Sequence, residues 1–290
     1  MSKTKIGVIG YGFVGKAVVN SFADREDVKV RINDPAYPEL SSSFDKIKEK
    51  SDAIFVCLPT PQDEHGECDT SILEGVLEKL LGYEGVVVCK STAPPVMYRH
   101  LENTLGLKLV HAPEFLTAAN ANYDYINPVN VVIGCKHKLW EEASKYILPY
   151  IQFAPANVEY CSIAEAAMFK YVANTMLAMK VIMNNEYASL CEKFNINWEN
   201  VAGIASTDSR LGTSHWSVPG PDGQRGFGGA CFPKDTSALL HLADEIDVDM
   251  SMLRTAITKN FELRSDLSKP NKTKKSNPKP TDVKLKPVSA

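Results

Sequence analysis

The residues best suited to chemistry lie in one decapeptide, Gly226-Phe227-Gly228-Gly229-Ala230-Cys231-Phe232-Pro233-Lys234-Asp235. Its glycines free the backbone for dihedrals that a side chain would forbid, and they permit close approach to a ligand. Pro233 suits the first turn of a helix running on through Thr236-Ser237-Ala238-Leu239-Leu240, which places Cys231 at a helix N-terminus beside Lys234. A positive field of that kind lowers a thiol pKa and raises the share of thiolate, the nucleophilic form, so the pattern predicts a reactive Cys231. The other six cysteines read as inert core residues. A second pair, Lys170 and Asn174, is four residues apart in a helical pattern and shares a face. A lysine and an amide side by side can hydrogen-bond an alkoxide or oxyanion as charge develops. By spacing alone, the pair reads as an ordinary polar stripe. Near the N-terminus, Gly10-Tyr11-Gly12-Phe13-Val14-Gly15 has the spacing of a dinucleotide-binding turn.

The surrounding elements give that turn its context. Lys5-Ile6-Gly7-Val8-Ile9 reads as a buried strand that enters the glycine turn, and an amphipathic helix follows through Ala17-Val18-Val19-Asn20-Ser21-Phe22. In such a unit Gly10 makes the tight turn, Gly12 lets the backbone approach a pyrophosphate, and Gly15 lets the helix pack on the strand. The next strand, 28–33, ends at Asp34, which lies 19 residues beyond Gly15. A carboxylate there accepts a hydrogen bond from a ribose 2′-hydroxyl and repels a 2′-phosphate, favouring NAD over NADP. The alternative is that Asp34 merely opens the turn at Pro35. Further apolar strands at 52–58, 85–90, 108–111 and 129–134 alternate with helices expected at 71–81 and 137–149. Such runs predict a doubly wound parallel sheet covered on both faces, with ligands beyond the carboxyl ends of its strands. After a strand expected at 157–161 comes one long helical pattern, 162–193, opened by Ser162 and Glu165 in the form of a capping box. Its largely apolar surface suits the buried axis of a domain or a homodimer interface. Helices are also expected at 200–207 and 250–267. The domain reading is therefore a Rossmann-type unit at 1–160, an all-α central unit at 161–267, and a Lys- and Pro-rich tail at 268–290 whose composition cannot bury a core.

As a unit, the Cys231 decapeptide resembles the catalytic-cysteine motif of the UDP-glucose/GDP-mannose dehydrogenase family. The resemblance extends over residues 3 to 265. Leu58-Pro59-Thr60-Pro61 and Lys90-Ser91-Thr92-Ala93-Pro94-Pro95 match the family's loops facing the nicotinamide. Ala112-Pro113-Glu114-Phe115-Leu116 matches the segment that reaches toward the sugar nucleotide. The stretch from Glu165 to Asn174 resembles the helix carrying the family's lysine and asparagine. Asp208-Ser209-Arg210-Leu211-Gly212 opens a loop like the one that folds over the sugar.

The resemblance implies an NAD-dependent oxidation of a nucleotide sugar, UDP-glucose first among them, with Cys231 as nucleophile and Lys170 and Asn174 stabilising developing charge. Asp235 would position the base or the water, Glu114 would favour hydrolysis, and Thr92 would orient water or substrate. It implies cofactor contacts at Gly10, Gly12, Phe13, Val14, Gly15, Asp34, Pro59, Thr60, Thr92 and Lys234. Substrate contacts would fall at Glu114, Phe115, Leu116, Lys170, Asn174, Arg210 and Gly228. The chain departs from the pattern in three places: Ala118 stands where a second glutamate is usual, Asn130 where an arginine is common, and the family's third domain is not in the sequence. A hydroxyacid-type two-electron dehydrogenase, or a truncated NAD-binding relative that needs a partner, are the competing expectations.

Composition is that of an ordinary globular chain, with 44% hydrophobic and 23% charged residues. A net charge of −3 argues against nucleic acid or an acidic membrane surface as the main partner. The opening residues lack a signal peptide's apolar stretch, and no run approaches a membrane span. Seven cysteines without paired spacing point to free thiols in a cytoplasmic setting, and no set has zinc-ligand spacing.

Overall fold

The structure is a computed structural model describing residues 3–63, 65–117, 120–151 and 157–264. Seven strands form one sheet: β1 (Thr4–Ile9), β2 (Val28–Asn33), β3 (Ala53–Val56), β4 (Val86–Cys89), β5 (Lys108–His111), β6 (Asn130–Gly134) and β7 (Asn157–Cys161), in the order β2-β1-β3-β4-β5-β6-β7. Successive side chains point to opposite faces, so both faces need apolar residues when both are covered. Ala53 and Phe55 accordingly join one core with Val8, Phe22 and Val88, while Ile54 and Val56 join another with Leu77, Val87 and Tyr98. The chain winds from β1 to β2 on one side and then crosses to β3 on the other. That reversal opens a crevice at the carboxyl ends of β1 and β3.

One expectation is corrected. The first five strands are parallel, but β6 meets β5 antiparallel, at the single pair His111 and Gly134, and β7 then runs parallel to β6. A buried apolar run reports that both faces are covered; it carries no information about strand direction.

Besides α2 (Phe44–Lys50), α3 (Ser71–Lys79) and α6 (Trp140–Ile147), seven helices among the described residues surround the site. α1 (Phe13–Asn20) springs from the glycine turn, and α4 (Pro95–Thr104) follows β4. The 31-residue α7 (Ile163–Lys193) starts at the Ser162–Glu165 capping box, in which both reciprocal hydrogen bonds form. It packs against α4, and also against α9 (Phe232–Glu245) and α10 (Ser251–Leu263). The helix α8 (Trp198–Ser206) lies beside it. Between β5 and β6 sits the short α5 (Ala121–Ile126), packed on α1. The segment expected as one helix at 137–149 forms an α-helix only over Trp140–Ile147, flanked by short 3-10 turns. Ala118 and the 268–290 tail lie outside the described residues.

Candidate active site

A cavity of about 1370 Å³ runs across the carboxyl ends of β1 to β4 and finishes at the N-terminus of α9. At one end it is lined by Gly10, Gly12, Phe13, Val14 and Asp34, at the other by Thr92, Glu114, Cys231 and Lys234, with Pro59 and Thr60 between. Gly10 takes φ +90°, and a Cβ on it would stand 2.3 Å from the Cys57 carbonyl oxygen, so only glycine makes this turn. A Cβ on Gly15 would come 2.0 Å from the Gly10 carbonyl oxygen, which is how α1 sits so close to the strand. At Gly12 a Cβ would meet nothing within 4 Å, leaving the backbone open to a ligand. Asp34 serves two structural purposes as well as lining the wall: its carboxylate accepts from the Tyr11 N–H at 2.5 Å and from the Ala36 N–H at 2.8 Å. The turn-forming alternative and the cavity position therefore coexist. An exposed glycine backbone at a helix N-terminus, with a carboxylate at the end of the second strand, fits the phosphates and ribose of NAD.

At the other end Cys231 is the N-cap of α9, its carbonyl accepting from the Asp235 N–H at 2.8 Å. Asp235 is 1% exposed, and it accepts from the Lys234 ammonium and from the Asn174 side-chain amide, each at 2.5 Å. One turn back along α7, the buried Lys170 ammonium donates to the Glu114 carbonyl, lies 3.8 Å from the Glu114 carboxylate and stands over the Phe115 ring at 5.0 Å. Asn174 and Lys170 thus reach the cavity wall from behind, through Asp235 and Glu114. The stripe on α7 is a buried, fully partnered one.

The expected depression of the Cys231 thiol is corrected. Burial pushes its pKa up, and Asp235 pushes it further; Lys170 and Lys234 only oppose this in part. The physical reason is that Lys234 is paired with Asp235 and offers the thiol little net positive charge, while burial disfavours the thiolate.

The loop before Cys231 is held by amides that sequence reasoning did not single out. Asn260 on α10 brackets Phe227, accepting from its N–H at 2.7 Å and donating to its carbonyl at 2.9 Å. Asn185 on α7 accepts from the Gly226 N–H at 3.2 Å. The Arg264 guanidinium lies against Gly228, where a Cβ would stand 2.5 Å from Cζ, and it pairs with Asp222 at 2.8 Å. Buried asparagines facing an otherwise apolar helix surface were the available signal.

Several expected contacts fall elsewhere. Gly228 faces Arg264, away from the cavity lining. The Arg210 side chain is 86% exposed and paired with Asp208. Phe115 packs edge-on against Phe169, and the Leu116 N–H closes onto the Glu114 carboxylate at 2.8 Å. Thr92, by contrast, lines the cavity, and its carbonyl accepts from the Thr60 hydroxyl at 2.6 Å. Sequence reasoning quoted Lys90 only as part of a matched segment and passed over Tyr37, and both are on the cavity wall.

Fold and site together define a dinucleotide-binding α/β protein whose helical half brings a thiol and a lysine to the cofactor crevice, backed by a buried carboxylate and amide. Within that class the chain belongs to the UDP-glucose/GDP-mannose dehydrogenase family, whose NAD binding domain matches residues 38–152 and whose central domain matches residues 164–262. The expectation of NAD as cofactor is therefore borne out. The chain is similar to the UDP-glucose 6-dehydrogenase of Rickettsia bellii, 31% identical over 232 residues that cover 77% of this chain and 52% of the relative. It spans about half the length of the first curated relatives it matches. Among solved structures, a UDP-glucose dehydrogenase from Pyrobaculum islandicum superposes with a TM-score of 0.75 at 23% identity, over 90% of this chain and 68% of that one. The 3-hydroxyisobutyrate dehydrogenase of Mycobacterium tuberculosis does so with a TM-score of 0.71 at 16% identity, over 91% of this chain and 94% of that one. At these identities the two structures speak for the fold alone. Among the described residues there is no metal-binding cluster of His, Cys, Asp or Glu, and no helix is long and apolar enough to cross a membrane.

Proposed function

We propose that the chain is an NAD-dependent nucleotide-sugar 6-dehydrogenase that converts UDP-glucose to UDP-glucuronate in two oxidations. The observation that carries the reading is the convergence of Cys231, Lys234 and Glu114 on the lining of a cavity that also takes in the Gly10–Gly12 turn and Asp34, with Asp235 buried behind Lys234. NAD supplies the hydride acceptor for each oxidation. Glu114 lines the end where the C6 oxygen of a sugar would be bound, and the Lys170 ammonium, held behind it, stabilises negative charge developing there. The Cys231 sulfur adds to the aldehyde carbon, and the new C–S bond gives a thiohemiacetal whose alkoxide is held by the same polar groups. Loss of a second hydride from that carbon leaves a thioester on Cys231. Water, oriented by Glu114 and Thr92, displaces the sulfur, so that the thiolate leaves and the carboxylate product forms. Asp235 keeps Asn174 and Lys234 in place around the thiol.

The test is the yield of NADH per UDP-glucose consumed, with GDP-mannose and an N-acetylated UDP-sugar in parallel. Two NADH per sugar is expected. One would favour the hydroxyacid-type reading, which the fold shared with 3-hydroxyisobutyrate dehydrogenase makes the specific rival.

The same reading includes a homodimer through α7 and α8. Phe169, Val172, Met176, Tyr187 and Leu190 on α7, and Val201 and Ile204 on α8, are exposed apolar residues on these two helices. Exposed apolar residues gathered on two neighbouring helices support an interface there. Sedimentation at micromolar concentration is expected to give a dimer, and Met176→Lys with Leu190→Lys a monomer. A wild-type monomer would remove the proposal.

A further inference from the structure

Lys90 directly follows β4 in the middle of the sheet, with its N–H bonded to the Val56 carbonyl at 2.9 Å. The residue is 8% exposed and lines the cavity. Among the described residues its ammonium meets only a ring face, that of Tyr125 on α5 at 5.1 Å; no hydrogen bond or ion pair reaches it. An unpaired buried cation is costly, and proteins tolerate one where a ligand or a change of charge uses it.

The charges around it are few. From the end of β3 comes Cys57, whose buried thiol is pushed up to about 12 and stays neutral. From the loop after β5 comes Glu114, and from α7 comes Lys170, which is already engaged with Glu114. From α5 comes Tyr125, a buried phenol whose pKa is raised and which stays neutral. Two ammonium groups therefore share one carboxylate, and Lys90 is the one without contact to it.

The cavity's ends locate Lys90 relative to the cofactor. A dinucleotide held at Gly12 and Asp34 must bring its nicotinamide within reach of the carbon carried by Cys231, and Lys90 lies in that half of the lining with Thr92 and Glu114. We propose that Lys90 senses the charge of the nicotinamide: its ammonium disfavours the cationic oxidised ring, suits the neutral reduced one, and so takes up the proton released as the alcohol is oxidised. The bookkeeping closes. Each oxidation removes one hydride, which neutralises the ring, and one proton, which the Lys90 amine accepts and returns to water when the cofactor is exchanged. Burial already lowers the Lys90 pKa to about 8, which places the proton exchange near neutral pH. The inference rests on the NAD reading of the cavity and adds to it a proton-linked preference between the two redox forms.

The test measures dissociation constants of NAD+ and NADH by titration calorimetry from about pH 7 to about pH 9.5, in buffers of different ionisation heat. For the wild type, the preference for NADH over NAD+ is expected to fall about tenfold across that range, with net proton release on NAD+ binding near the middle. Lys90→Met is expected to show no such slope and no proton release, and Lys90→Arg a strong NADH preference at every pH. A flat wild-type ratio would overturn the proposal, as would a slope that persists in a Lys90→Met protein with a normal thermal melt. Failure of the wild type to bind either nucleotide would overturn it together with the cofactor reading, whereas tight binding without a slope overturns this proposal alone.

Discussion

Replacement of Cys231 by serine is expected to lower NADH formation from UDP-glucose about a thousandfold or more. A buried serine hydroxyl is a far weaker nucleophile and a poorer leaving group than a thiolate, so both the trapping of the aldehyde and the hydrolysis lose their chemistry. The wild-type thiol has its own signature. Its pKa is raised by burial first and by Asp235 second, so the neutral thiol dominates at neutral pH and the thiolate fraction climbs as pH rises through and above the ordinary thiol range. Alkylation of Cys231 by iodoacetamide should therefore accelerate about tenfold per pH unit across that range, without levelling off near neutrality. A Cys231→Ser protein that kept its rate within about threefold would sink the covalent mechanism and leave a simple two-electron dehydrogenase.

Asp235→Ala is expected to damage both stability and turnover. Its carboxylate is 1% exposed and holds two donors, one of them the charged Lys234, whose side chain is 18% exposed. Removing one partner of such a pair leaves the other without its counter-charge and costs about 3–5 kcal/mol. The Asn174 amide loses its acceptor as well, so the geometry around Cys231 loosens, and turnover should fall about 10²–10³-fold. Asp235→Asn separates the two effects. It preserves volume and an acceptor oxygen, so denaturant unfolding should show a smaller loss. It also removes the negative charge that raises the thiol, so the alkylation profile should move to lower pH than in the wild type. A profile that does not move would mean that Asp235 has no electrostatic hold on the nucleophile.

Much of the frame was legible because local patterns report local physics. Gly10, Gly12 and Gly15 between a strand and a helix announce a turn where only glycine fits, and the structure shows why at the Cys57 and Gly10 carbonyls. Ser162 and Glu165 set the start of α7 through bonds three residues apart, which any reader of the chain can pair. The family itself was legible in the string around Cys231. By contrast, Asn185 and Asn260 looked like polar interruptions of apolar helices, because their partners at Gly226 and Phe227 lie 41 and 33 residues away. The sequence shows an amide; it does not show which backbone the amide satisfies.

What the chain by itself determined was the set of elements, the cofactor turn, the apolar face of α7 and the chemical identity of the proposed nucleophile, since each depends on residue type and short spacing. Tertiary structure decided the rest. It turned β6 and β7 against the first five strands, a direction invisible to burial patterns. It buried Cys231 and set Asp235 beside it, raising the thiol that the isolated motif would have lowered, while Lys234 is taken up by Asp235. It also buried Lys90 without a counter-ion beside the cofactor's place. Electrostatics depends on burial and on neighbours far apart in the chain, and those come into existence only when the chain has folded.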